Sequence, residues 1–356
     1  MDLFYEIVQV ALQLRSSLSH APSELEWNFL FEESQQQAIA GIIFDTLEIL
    51  SEKGQKPPLP LLYEWIGLSE QIKKQNKIVN KRCKNITTIF AEAGFDTCIL
   101  KGQGNALMYP NPLSRMSGDI DIWVWGNRDA ITKFVRSKTP DVLELEHHID
   151  FPIFEDVAVE VHYVPSVLFT PIYNRRFQKW SSEQIDYIKK NGNITQYGYI
   201  IPSVSFNAIF QMAHIYIHFF IEGIGMRHFV DYYYVLRGLK STDKFQVVEN
   251  IRKFGLERFA CGVMWIEKYC LGIGDEYLLF EPSEIIGKLI QKEMEKGGNF
   301  GQYDSRFTMR NKGFLARGAA DIARLFSLAY VFPSECFWKV IEKITNQRWK
   351  FKKNSI

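Results

Sequence analysis

Residues 119–124, Asp-Ile-Asp-Ile-Trp-Val, alternate acidic or aromatic side chains with branched apolar ones at a period of two. No other stretch limits the possible folds so tightly. A strand of this pattern turns Ile120 and Ile122 to one face and Asp119 and Asp121 to the other. The isoleucines belong in a core, so the two carboxylates are held side by side on the opposite face. Such a pair repels itself unless a cation lies between its members. Hard oxygen ligands of this type favour Mg²⁺ or Mn²⁺. A solvated strand face is the plain alternative.

Val157 to Tyr163, read as a second strand, repeats the logic. Its three valines face one way, and Glu160 and His162 face the other. If it lies beside the first strand, Glu160 becomes a third carboxylate near the aspartates. Three carboxylates on neighbouring strands are what a two-metal phosphoryl or nucleotidyl transfer site requires. A cross-strand salt bridge would account for Glu160 equally well. For His162 a nucleotide contact stands beside a half-buried, hydrogen-bonded ring. Upstream, the short buried-strand signal Thr97–Leu100 leads into Lys101-Gly102-Gln103-Gly104 at the start of a helix. Gly102 lets backbone N–H groups approach a phosphate, and a helix start favours its charge. Lys101 and Arg115 can add counter-charge.

Around this segment the periodicity is helical. Leu3, Ile7, Val10 and Leu14 recur at helical spacing, as do Ile39, Ile42, Ile43, Leu47 and Leu50. Pro57, Pro58 and Pro60 read as a loop, and a helix is predicted from about Leu68 to Ala93, with Gly94 ending it. Leu145–Phe154 and Val157–Tyr163 read as strands joined at Glu155-Asp156, and Ile194–Ile201 as a further strand pair or edge. From Ser203 helices return: Phe206, Ile209, Phe210, Ala213, Ile217 and Phe220 line one face, and Leu315, Ala319, Ile322, Phe326 and Ala329 another. The fold class is therefore α+β: a mixed-sheet core over 81–202 between helical regions at 1–80 and 203–356.

The net charge of +1, with 46% hydrophobic and 23% charged residues, excludes a disordered chain and a polyanion binder that works by overall charge. Residues 301–356 carry 11 Lys+Arg against 4 Asp+Glu, ending in Arg348, Lys350, Lys352 and Lys353. That stretch is either a phosphate-touching surface or the wet side of helices. Five cysteines without a CxxC pair argue against a thiolate zinc site or disulfide framework and fit a reducing, cytoplasmic setting. The most apolar stretch, Ala208–Ile221, is interrupted by Gln211, His214 and His218, so no membrane span is expected. His214 and His218, four apart, raise a zinc hydrolase as a rival reading, but Ile215 stands where the metalloprotease pattern has Glu. His147-His148 is a weaker metal lead, and Arg227 with Asp231 reads as a local helix ion pair.

Taken together, Leu-Lys-Gly at 100–102, Tyr109-Pro110, Arg115, Gly-Asp-Ile-Asp-Ile at 118–122 and Val-Glu-Val-His-Tyr at 159–163 resemble the uncharacterised bacterial nucleotidyltransferases of the DNA polymerase β-like superfamily. Trp27 upstream and His214, His218, Arg227 and Asp231 downstream fit the same pattern, so the resemblance covers most of the chain. It implies that Gly102 and Gln103 form the phosphate-binding turn, that Asp119 and Asp121 hold the metals and that Glu160 is the third carboxylate. Gln103 stands where the superfamily usually has Ser, and Glu160 is longer than the usual Asp. The implied reaction moves a nucleoside monophosphate from an NTP to a small-molecule, protein or RNA acceptor, releasing pyrophosphate. A catalytically silent nucleotide-binding module of the same fold is the alternative.

Overall fold

The computed structural model describes residues 2–304 and 323–342. Among these residues, five helices precede the first strand: α1 (Asp2–Ala11), α2 (Glu24–Gln36), α3 (Ala40–Phe44), α4 (Leu47–Glu52) and α5 (Leu59–Glu92). Of the proline cluster, Pro57 lies in the connection before α5, Pro58 caps the helix, and Pro60 is inside it. Pro60 sits in the first turn, where a missing N–H costs nothing, so the helix begins nine residues before its predicted start. Gly94, at φ +83°, follows its end.

The core follows as β1 (Asp96–Leu100), α6 (Gly102–Ala106), β2 (Ile120–Trp125), α7 (Arg128–Lys138), β3 (His148–Asp150) and β4 (Val159–His162). Next come α8 (Pro171–Asn191) and a separate two-stranded ribbon, β5 (Asn193–Ile194) and β6 (Ile200–Ile201). The main sheet has the order β1-β2-β4-β3, with β2 and β4 parallel and the outer pairs antiparallel. The strand signal from Leu145 to Phe154 shrinks to three residues plus a bridge between Glu144 and Ile149.

Every residue of β2 is buried, because both faces of the sheet are covered. Ile120, Ile122 and Val124 pack with Cys83, Ile86 and Phe90 of α5 and Ile131 and Val135 of α7. Trp123 and Trp125 join the helical core on the other face, where Trp123 stacks on Phe206 at 5.7 Å between ring centroids. Asp121 shares that covered face and is only 2% exposed.

The C-terminal helices are α9 (Val204–Ile221), α10 (Met226–Gly238), α11 (Ser241–Lys253), α12 (Glu257–Trp265) and α13 (Glu284–Gly297). A turn of π-helix, Ile266–Leu271, follows α12. By length and composition α9 is apolar enough to cross a membrane, yet 78% of it is buried inside the fold. Its apolar circumference is that of a central core helix. All five cysteines are unpaired, and four are buried. Leu315, Ala319, Ile322 and the basic run from Arg348 to Lys353 lie outside the described residues. Of the face expected there, Phe326 is exposed and Ala329 half-buried against the core, while the neighbouring Leu325 and Leu328 are buried.

Candidate active site

The strand registers assemble the acidic cluster. Leu100 pairs with Asp121, Asp121 with Glu160, and Glu160 with Asp150, so one row of residues crosses all four strands. Asp119, Asp121 and Glu160 each offer a carboxylate oxygen, all within 4.8 Å of one another. Asp119 and Glu160 line a cavity of about 1460 Å³ between the sheet and α9.

Where β1 leaves the sheet, the chain turns through Lys101 at φ +40° and Gly102 at φ +34°. A side chain at such an angle is strained unless its surroundings fix it. The fixing contact is ionic: Lys101 Nζ lies 3.0 Å from Asp121 Oδ1. His162 Nε2 approaches the same oxygen at 2.8 Å and lies 3.5 Å from Glu160 Oε2.

The electrostatics follow from this crowding. Asp121 raises the Asp119 carboxyl above its ordinary value, and burial adds to the rise. Burial alone would do the same to Asp121, but Lys101 and His162 outweigh it and hold that carboxyl below the usual range. Burial opposes the charge on His162, yet its hydrogen bonds to Asp121 and Glu160 push the imidazole up to about 9. Glu160 is held low, the His162 contact overcoming desolvation. Burial, with His162 and His148 nearby, drives His147 down to about 2.

The donor set fits a hard divalent ion: three carboxylates gathered within reach of one ion, opening on a cavity, with the Asp119 carboxyl raised by its neighbour Asp121. Two resident cations now balance Asp121.

The other predicted residues fall in different places. Gln103 is buried, and its amide donates to Asn80 at 2.8 Å and Asn76 at 3.4 Å on α5. Its side chain therefore anchors the turn to α5. Arg115 is buried and donates two 2.7 Å hydrogen bonds to Asp231, which also accepts from Tyr109 at 2.6 Å. The expected Arg227–Asp231 helix pair is replaced by this longer-range one. Arg227 donates to the Met116 carbonyl and faces the Phe300 ring. Burial, then Arg115, lowers the Arg227 guanidinium to about 10. With Lys101, Gly102 and Asp119, Arg227 lines a small recess beside the turn, a position its sequence context did not reveal.

Six of the seven histidines line this cavity or the recess. His214 and His218 have ring centroids 4.2 Å apart, and His218 Nδ1 pairs with Glu222 at 2.6 Å. Among the described residues, neither joins a triplet of metal-competent side chains.

No curated protein matches the chain. Among solved structures it is similar to an antigenic nucleotidyltransferase-like protein from Paracoccidioides brasiliensis, at 12% identity and a TM-score of 0.29, over 57% of this chain and 95% of that one. A family model described as uncharacterised nucleotidyltransferase matches residues 23–272. With its acidic strand pair and strand–helix turn inside that span, the chain belongs to the uncharacterised nucleotidyltransferase family.

Proposed function

We propose that the chain transfers a nucleoside monophosphate from an NTP to an acceptor hydroxyl or phosphate, with Asp119, Asp121 and Glu160 holding Mg²⁺ or Mn²⁺. The observation that carries this reading is the convergence of those three carboxylates beside the Lys101-Gly102 turn. When bound, the divalent ions would neutralise the triphosphate and polarise the reacting phosphoryl group. Lys101 is the resident counter-ion of Asp121, and on metal binding its ammonium is freed to meet phosphate oxygens. Arg227, in the recess beside Asp119, supplies a second cation. Gly102 keeps the backbone of the turn open to the phosphates. Glu160, a carboxylate held below its ordinary pKa, orients the acceptor by accepting its hydrogen bond. The acceptor oxygen bonds to the α-phosphorus, a hydroxyl acceptor's proton passes to Glu160, the bond to the bridging oxygen breaks, and pyrophosphate leaves.

Thermal unfolding with each of the four NTPs, with and without Mg²⁺, tests this. A Mg²⁺-dependent rise in Tm is expected in the wild type and is abolished in Asp119→Asn. A rise that is independent of Mg²⁺ and unchanged in Asp119→Asn overturns the assignment. Saturation of Asp121 by Lys101 and His162 favours a second reading, a nucleotide-binding module without turnover. Transfer of label from an α-labelled NTP into any acceptor of a cell extract, lost in Asp121→Asn, rejects that alternative.

A further inference from the structure

We propose that His148, Glu160 and His162 form a second metal site, one that takes a divalent first-row transition ion of the zinc–cobalt class. The pairing of β3 with β4 places His148 opposite His162, beside Glu160. The three side chains offer ligand atoms within 4.8 Å of one another. Glu160 Oε2 lies 3.5 Å from His162 Nε2 and 3.7 Å from His148 Nδ1. Those separations are long for hydrogen bonds. They come near the spacing of about 3.4 Å between two ligands that each sit roughly 2.0–2.1 Å from a tetrahedral ion.

A second observation points the same way. His148 and His162 are 7% and 5% exposed, and the Nδ1 atom of each is buried without a hydrogen-bond partner among the described residues. The orphaned His148 Nδ1 is the atom that faces Glu160. Leaving a buried polar atom unpaired is costly, and a coordinated ion removes that cost. The outer contacts suit ligand histidines, which usually turn their other nitrogen toward a carboxylate: His148 Nε2 faces Asp150 at 3.6 Å. His162 Nε2 already bonds Asp121 Oδ1 at 2.8 Å and exchanges that hydrogen bond for the ion. All three residues line the large cavity, which gives an ion its route in and leaves its remaining positions open.

Imidazole nitrogen selects zinc-like ions over Mg²⁺. The site therefore differs in chemistry from the carboxylate triplet, although Glu160 belongs to both. It rests on the same Glu160 as the proposed function but not on nucleotide transfer.

The test is a Co²⁺ titration of the full-length, chelator-stripped protein in excess Mg²⁺, followed by visible absorption and calorimetry. One equivalent of Co²⁺ is expected to bind, with a spectrum of nitrogen and oxygen ligation. His148→Ala and His148→Gln, each checked by circular dichroism for retained fold, are expected to weaken binding at least about tenfold, the loss that even an outer-contact change to such a site produces. His214→Ala is expected to leave Co²⁺ binding unchanged. Asp119→Asn is expected to keep Co²⁺ binding while losing the Mg²⁺–NTP response. Failure of Co²⁺ to bind in excess Mg²⁺, equal affinity in both folded His148 variants, or loss of Co²⁺ binding in His214→Ala overturns the site. Failure of the nucleotidyltransferase reading would look different: no NTP response, with the Co²⁺ titration intact.

Discussion

Lys101 Nζ sits 3.0 Å from Asp121 Oδ1, joining the strained residue that ends one strand to a buried carboxylate on the next. The ammonium is the main counter-charge of an aspartate that is 2% exposed. Removing it leaves His162 to balance Asp121 alone.

Lys101→Met is accordingly expected to destabilise the protein by about 2 kcal/mol, less than the 3–5 kcal/mol for breaking an isolated buried pair. The informative measurement is urea unfolding with and without Mg²⁺. If the ion enters beside Asp121, it should restore more stability to the variant than it adds to the wild type. Equal Mg²⁺ effects on both proteins would place the ion elsewhere.

The raised pKa of His162 sets a stability window at alkaline pH. A histidine whose folded pKa is about 9, against an ordinary 6.5, contributes stability that is fully present below pH 6.5 and lost as pH rises through about 9. Asp121 acts at the opposite end. Its depressed carboxyl contributes above its ordinary 3.8 and loses that contribution as pH falls below it. Urea midpoints between pH 6.5 and 9.5 are expected to fall more steeply for the wild type than for His162→Gln, and parallel curves would contradict this.

Arg115 and Asp231 act as a structural strut. Asp231→Ala, which strands a buried guanidinium, is expected to cost about 3–5 kcal/mol. The double replacement Arg115→Met with Asp231→Leu is expected to cost less than the sum of its single changes. A double-mutant cycle in guanidinium measures the coupling, and strict additivity would show that the pair does not act as a unit.

Glu267, in the π-helical turn, is fully buried, and neither of its carboxylate oxygens has a hydrogen-bond partner. Burial raises its pKa well above the ordinary 4.5, so the folded state holds a proton that the unfolded state releases. Stability therefore falls as pH rises from 4.5 upward. Glu267→Met is expected to gain about 2 kcal/mol near neutral pH by removing the unpaired group, and to gain less at pH 4.5. A larger gain at the acid end would reverse the assignment.

What the sequence disclosed and what it hid divide along the range of the interactions. Period-two alternation was enough to put Asp121 on a strand face opposite Ile120 and Ile122, and Glu160 and His162 on one face of β4, because a strand's two faces are set locally. Asp119 stands one residue before β2. The α+β class followed from the change of period between helical and strand segments. The partner of Arg115 was invisible, since Asp231 lies 116 residues away and a nearer partner, Arg227, offered a plausible helix pair. Gln103 reads as a ligand until α5 is seen to supply Asn76 and Asn80. The gathering of six histidines needed the strands, α9 and α10 to be packed first. The early start of α5 was hidden by reading Pro60 as a breaker, although the first turn tolerates it.

The Gln103–Asn80 bond gives the turn at Lys101-Gly102 a rigid mounting. At 34 residues, α5 is a rod about 50 Å long, at 1.5 Å per residue. Tilting such a rod by one degree about its Leu59 end moves Asn80, which lies well along it, by roughly 0.5 Å, by the same geometry. The Lys101-Gly102 turn thus has little freedom of its own: its alignment is inherited from how the amino-terminal helices seat the other end of the shaft.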